Sequence, residues 1–211
     1  LVVQEGLAGP GCVGLSVGTN HGLLVDRNGR VRSWGKGRAH DGSTGWLGNG
    51  QTAEVEVPQI IASLATVLVK CVSAGGVHSL AVTATGELFS WGRNGSGQLG
   101  LGSSASVNVP QRVAVDAFVT SACAGANHTA VITGKGALWT CGNGGFGRLG
   151  LGDTEDRSVL SAVSSFKPKV LVAIAGFHCT IVLDAEGFVW MSGFLCVGGP
   201  QLKTFTRVQF P

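Results

Sequence analysis

Residues 74–110, AGGVHSLAVTATGELFSWGRNGSGQLGLGSSASVNVP, decide the fold, because residues 124–160, AGANHTAVITGKGALWTCGNGGFGRLGLGDTEDRSVL, say the same thing again. The first stretch carries its anchors at His78, Gly86, Trp91, Gly92, Leu99 and Pro110. The second carries them at His128, Gly136, Cys141, Gly142, Leu149 and Leu160, each displaced by 50 positions. Working outward, a copy starting at Gly18 matches at His21, Gly29, Trp34, Gly35, Leu47 and Pro58, with five extra residues between Gly35 and Leu47. A fourth, from Gly176, matches at His178, Gly187 and Gly193 and then loses the glycine loop. Self-similarity at a period near fifty residues marks a repeat array, whose function lies in how the copies differ.

Within a copy the segments are short and β-like: Ser79–Thr83, Glu87–Trp91, Gln111–Val115 and Val119–Ala124, each bounded by turn residues. The first two are joined through Asn28-Gly29, Thr85-Gly86, Lys135-Gly136 and Glu186-Gly187, where glycine supplies the left-handed conformation of a bulged hairpin turn. A four-stranded antiparallel unit of this size cannot bury both faces alone. Copies must therefore stack face to face, and radial stacking gives an all-β propeller. Ala74-Gly75, Ala124-Gly125 and Ala175-Gly176 suit an innermost strand crowded around the axis. The expected division is 18–73, with an insertion at 36–46, then 74–123, 124–174 and a degenerate copy at 175–211. Residues 1–17 read as the end of a preceding blade.

The pattern resembles the regulator of chromosome condensation superfamily, whose unit pairs a Gly-x-x-His start with a Trp-Gly hairpin and an Asn-x-x-Gly-Gln-Leu-Gly-Leu-Gly loop. Gly75, His78, Gly86, Trp91-Gly92, Asn94 and residues 97–102 match position by position, and the resemblance covers nearly the whole chain. It departs in the fourth copy, where Gly176 lies two residues before His178 and Ser192 stands in the tryptophan place. The resemblance implies a seven-bladed propeller of which about four blades are present, the remainder coming from the same or another chain. It also implies a non-catalytic protein-interaction scaffold in a protein or ribonucleoprotein complex, or guanine-nucleotide exchange on a small GTPase.

Composition agrees with a turn-rich β protein: 35 Gly in 211 residues, 13% charged residues and no Tyr. The longest apolar stretches, 64–69 and 170–177, are too short for a membrane-spanning helix, and no signal-peptide pattern opens the visible sequence. Cys12, Cys71, Cys123, Cys141, Cys179 and Cys196 are scattered without a Cys-x-x-Cys pair and read as buried thiols of an intracellular protein.

Several motifs suggest chemistry that their context removes. Residues 95–100 and 145–150 both satisfy Gly-x-Gly-x-x-Gly, but no helix follows to present its N-terminus to a pyrophosphate, so no cofactor is expected. His21, His78, His128 and His178 occupy equivalent places in different copies and are rotated apart around an axis. They cannot converge on one metal ion and are read as structural anchors. His78-Ser79 and His178-Cys179 are strand neighbours pointing to opposite faces, which excludes a nucleophile–base pair. No catalytic residue emerges. Trp34 and Trp91, with Trp139 and Trp190 two positions earlier in their copies, read as blade packing.

The residues that depart from the repeat are the candidates for partner binding. Net charge is only +3, yet Arg27, Arg30, Arg32, Lys36 and Arg38 fall together in the first copy, opening the alternative of RNA or DNA contact. Arg30 and Arg32, two apart, share a strand face. The insertion adds His40 and Trp46 to a longer charged loop of the kind that carries interface anchors, and Phe146 and Arg148 occupy the corresponding loop of the third copy.

Overall fold

The alternating, β-branched segments form strands throughout a computed structural model that describes residues 11–37, 45–194 and 199–209. The first sheet comprises β1 (Cys12–Val17), β2 (His21–Asp26), β3 (Val31–Gly35) and β4 (Val55–Ile60). The second comprises β5 (Val69–Ala74), β6 (His78–Thr83), β7 (Leu88–Gly92) and β8 (Val107–Arg112). The third comprises β9 (Val119–Ala124), β10 (His128–Thr133), β11 (Leu138–Gly142) and β12 (Arg157–Ala162). The fourth comprises β13 (Val170–Ala175), β14 (Cys179–Asp184), β15 (Val189–Gly193) and β16 (Leu202–Arg207). Each sheet is an antiparallel meander in chain order, the blade of a β-propeller. Its central hairpin turns on Gly29, Gly86, Gly136 or Gly187, at φ of 73°, 80°, 76° and 86°, the conformation the sequence demands there.

The blades are out of phase with the sequence copies. Strand β1 pairs with β2, so Cys12–Val17 is the inner strand of the first blade and not the end of a preceding one. Likewise Val69–Ala74, Val119–Ala124 and Val170–Ala175 pair forward with the histidine-bearing or equivalent strand that follows. The boundaries at 73/74, 123/124 and 174/175 therefore cut each inner strand from its sheet. The outer strand β8 begins at Val107 and ends at Arg112, earlier than the expected Gln111–Val115. Pro58 and Pro110 are accommodated there because an outermost strand leaves one row of donors unpaired.

The core lies in the three seams between successive sheets. Leu23, Val25 and Val31 meet Val69, Ala81 and Trp91 in the first. Leu80, Val82 and Leu88 meet Val119, Val131 and Cys141 in the second. Ala130, Ile132 and Leu138 meet Val170, Val182 and Phe205 in the third. The inner strands are crowded as expected: a Cβ on Gly75 would stand 2.4 Å from the Gly125 carbonyl oxygen, and one on Gly125 2.7 Å from that of Gly176.

A repeated hydrogen-bond relay crosses each seam. His21 Nε2 lies 2.8 Å from Ser79 Oγ, His78 Nε2 2.9 Å from Thr129 Oγ1, and His128 Nε2 2.9 Å from Thr180 Oγ1. Each hydroxyl donates its own proton, over 2.7 Å, to a loop carbonyl of the preceding blade: Trp46, Gln98 and Arg148 respectively. A hydroxyl has one proton, so the imidazole must supply the other, which fixes all three rings as the neutral Nε2–H tautomer. Their Nδ1 atoms are buried without partners, and the rings edge against Gly18, Gly75 and Gly125.

The fourth blade breaks the relay. Cys179 pairs with Gly193 as His128 pairs with Gly142, so Cys179, three residues after Gly176, holds the histidine position and His178 lies one residue outside it. At the other end Gly22 stands where Ser79, Thr129 and Thr180 stand, and the Trp34 ring occupies the space a side chain there would need.

Burial lowers the pKa of His21 to about 4 and of His78 and His128 to about 3. The unfolded chain takes up protons below about pH 6.5 while the folded one does not, so this stabilisation is complete above pH 6.5 and is lost as pH falls towards 4 and below. Denaturant titrations at successive pH values should show a loss of about 1.4 kcal/mol per pH unit for each histidine in that window. His78→Ala should cost about 2–4 kcal/mol at pH 7 by opening a cavity and removing the donor to the Thr129 hydroxyl, and should flatten the acid limb.

Candidate functional site

The loop between the third and fourth strands of the first three blades ends in Gly-x-Leu-Gly, with x being Trp46, Gln98 or Arg148. The backbone carbonyl of x serves the relay in every case, which leaves the side chain free to vary. Trp46 is 0% exposed, packed with Leu47, Val55 and the half-buried Trp34, and its indole N–H donates to the Lys36 carbonyl. It is therefore a core residue and not the exposed tip of a docking loop. The insertion lies upstream of it, and Arg38 and His40 fall outside the described residues. Gln98 closes its own loop by accepting from the Ser96 N–H at 3.0 Å.

Arg148 organises something different. The side chain of this residue, which is 4% exposed, donates from Nε to the Gly145 carbonyl at 2.9 Å, from Nη1 to the Phe177 carbonyl at 2.9 Å and from Nη2 to His178 Nδ1 at 3.0 Å. Arg148 is thus a positioning group, and not a free cation for a partner. Burial pulls its pKa down from the ordinary value, while the nearby Asp156 charge pulls it back up.

Around it gather four aromatic side chains. Phe146 packs against His178 with ring centroids 4.6 Å apart and stacks on Phe194 at 5.5 Å. Phe177 meets His178 edge-on at 4.5 Å. Phe146 and Phe177 remain 36% and 70% exposed. Among the described residues Phe146 alone is a non-glycine with positive φ, at 63°, a left-handed conformation costing about 1–2 kcal/mol for a bulky residue. A local cost that places an aromatic ring at a loop surface points to use. Sequence reasoning reached Phe146 and Arg148 but missed Phe177 and Phe194. A signal existed, since Phe177 follows Gly176 where Gly76 and Ala126 follow Gly75 and Gly125.

The first-blade cations do not form one patch. Arg27 and Arg30 sit at the β2–β3 turn, Arg32 lies within β3, and Lys36 follows its far end, about 20 Å from Arg30 at strand rise. The anchors His21, His78 and His128 are consumed by the relay, as Trp91 is by packing and by its N–H bond to the Trp46 carbonyl at 2.8 Å. Among the cysteines, Cys12 is exposed, contrary to expectation, and Cys196 falls outside the described residues. Burial pushes the Cys123 and Cys141 thiols up to about 12. No group of three or more His, Cys, Asp or Glu among the described residues could hold a metal ion.

Desolvation and then the Arg148 charge hold the His178 pKa below its ordinary value. Arg148→Gln, which installs the residue of the second copy, should raise it, as read by NMR titration. An unchanged His178 titration would mean that the guanidinium does not face the ring.

Comparison with known proteins agrees with this architecture. The model of the regulator of chromosome condensation (RCC1) repeat matches residues 28–82, 85–132 and 135–182, more than half of the chain. The ultraviolet-B receptor UVR8 of Arabidopsis thaliana is 39% identical over 99 residues, covering 47% of this chain and 21% of its own. Human RCC1 domain-containing protein 1 is 44% identical over 88 residues, covering 41% and 22%. Among solved structures, human WBSCR16 superposes with a TM-score of 0.85 at 26% identity, over 96% of this chain and 54% of that one. Yeast RCC1 (Prp20), solved bound to Kap60, gives 0.83 at 23% identity, over 98% and 50%. The chain thus spans about a fifth of these curated relatives and about half of the solved propellers. On the three matched repeats, the chain belongs to the regulator of chromosome condensation repeat family.

Proposed function

We propose that this chain is a non-catalytic propeller scaffold that docks a protein partner on the aromatic platform of Phe146, Phe177, His178 and Phe194. The observation that carries this reading is the platform itself: exposed rings fixed by a buried arginine, with one of them held in a left-handed backbone conformation. Rigid, partly exposed aromatic side chains are what interface anchors are made of. A scaffold rather than an enzyme is supported by the seam histidines, which are neutral, buried and hydrogen-bonded, and by buried thiols too weakly acidic to act as nucleophiles.

The outer faces of the first and fourth blades carry exposed Val13, Leu15 and Val17 at one end and Val172 and Ile174 at the other. We read these as seams for further blades completing a seven-bladed ring, within an intracellular complex. Among the described residues no helix is long and apolar enough to cross a membrane. Family membership also brings nucleotide exchange into view, since the solved Prp20p was described for its binding to Gsp1p and histones.

The test is affinity isolation of the full chain, followed by reconstitution with the recovered partner. Phe177→Asp and Phe146→Ala should each weaken that binding about tenfold or more, with thermal stability kept. Accelerated nucleotide release from a small GTPase by catalytic amounts of the full chain, or binding indifferent to both substitutions, would overturn the scaffold reading.

A further inference from the structure

The opposite end of the blades, where the central hairpins turn, has a different character. Exposed Arg27, Arg30, Lys70, Lys135, Lys167 and Lys169 lie at or beside these turns and their connecting segments, and none has an ion pair among the described residues. The exposed acidic side chains there are Asp116 and Glu186; the half-buried Glu87 is already held by Arg112 at 2.7 Å, and Asp26 and Asp184 are buried in their own turns. Glu54, Glu56, Asp153, Glu155 and Asp156 instead lie at the glycine-loop end. At that end Lys36, Arg93, Arg148, Arg157 and Lys203 balance the carboxylates, so the modest net charge conceals an excess of exposed cations at the hairpin end.

Within this basic end lies a cavity of about 410 Å³ lined by Asp116, Phe118, Gly134, Lys135, Ala137 and Trp139, among others. Phe118, just before β9, lays its ring over Gly86 of the preceding hairpin, where a Cβ would come 2.4 Å from the ring, and remains 53% exposed. The corresponding residues of the neighbouring blades are Leu68 and Lys169, so the aromatic wall is peculiar to this seam.

We infer that this end is a binding surface for single-stranded nucleic acid, with phosphates on the lysines and arginines of successive turns and one base held between Phe118 and Trp139. The cations are spread over successive turns rather than converging on one point, which suits a chain bearing one charge per step. Two aromatic side chains bounding one cavity suit a planar base. An acidic peptide fits less well, because strand addition needs free main-chain groups. Here the Gly134 N–H already donates to the Phe118 carbonyl at 2.7 Å and the Val119 N–H to that of Gly86 at 2.9 Å.

The test is fluorescence anisotropy of a labelled 20-mer of uridylate with the full chain, as a function of salt. Binding should weaken steeply with salt, and the Lys135→Glu, Lys169→Glu double variant should weaken it at least about tenfold. Phe118→Leu keeps an apolar cover over Gly86, as Leu68 does over Gly29, and should weaken binding about five- to hundredfold with the salt slope unchanged. Lys36→Glu, at the other end of its blade, should leave binding unchanged. No binding at low salt, indifference to Phe118→Leu, or equal competition by poly-glutamate of matched charge would overturn the inference, the last favouring an acidic peptide.

Discussion

One imidazole N–H passed from a blade to the hydroxyl of the next sets the constraint to which the rest of this structure conforms. The relay needs a ring with no room to tilt, so the glycines at the inner ends of the strands must lack side chains on which the ring would collide. It also needs a loop carbonyl brought back to the seam. That return is made by loops with glycines in the left-handed region, such as Gly97 and Gly147. In the second blade it is braced by Asn94, whose side chain donates to the Ser103 and Ala105 carbonyls at 2.8 and 3.0 Å. The histidine, the seam hydroxyl, the inner-strand glycine and the loop glycines of the repeat all serve this one geometry.

Because the relay uses a backbone carbonyl, it places no demand on the side chain that follows from the same residue. Trp46, Gln98 and Arg148 therefore do the same structural work and three different local ones: filling the core, closing a loop, and building an aromatic platform. The scaffold's constancy is what allows the loops to diverge. Divergence then gathers at the two ends of the blades, which differ in kind: aromatic at the glycine-loop end, basic at the hairpin end.

The blades themselves were legible in the sequence because the relay leaves residues at fixed spacing. Their phase was not, since which neighbour a strand hydrogen-bonds to is not written in a repeat, and β1 was assigned away from its own sheet. His178 misled through identity: the spacing of three from Gly176 pointed to Cys179, while the imidazole drew the eye to its neighbour. Trp46 misled through position, since a loop insertion can sit before an anchor without moving it. The first-blade cations were close in sequence, but a single strand carries its two ends to opposite faces of the propeller. The aromatic platform was half visible, because Phe177 and Phe194 come from different segments that only folding brings to Phe146.

The relay is tested most directly by long-range nitrogen–proton NMR on the imidazole rings of the full chain. The account predicts three histidines, His21, His78 and His128, all protonated on Nε2 alone, bare on Nδ1, and unchanged from pH 8 to pH 5. Titration of these rings near pH 6.5, or protonation on Nδ1, would contradict it, for the seam hydroxyls would then lack the donor on which the stacking of the blades is argued to rest.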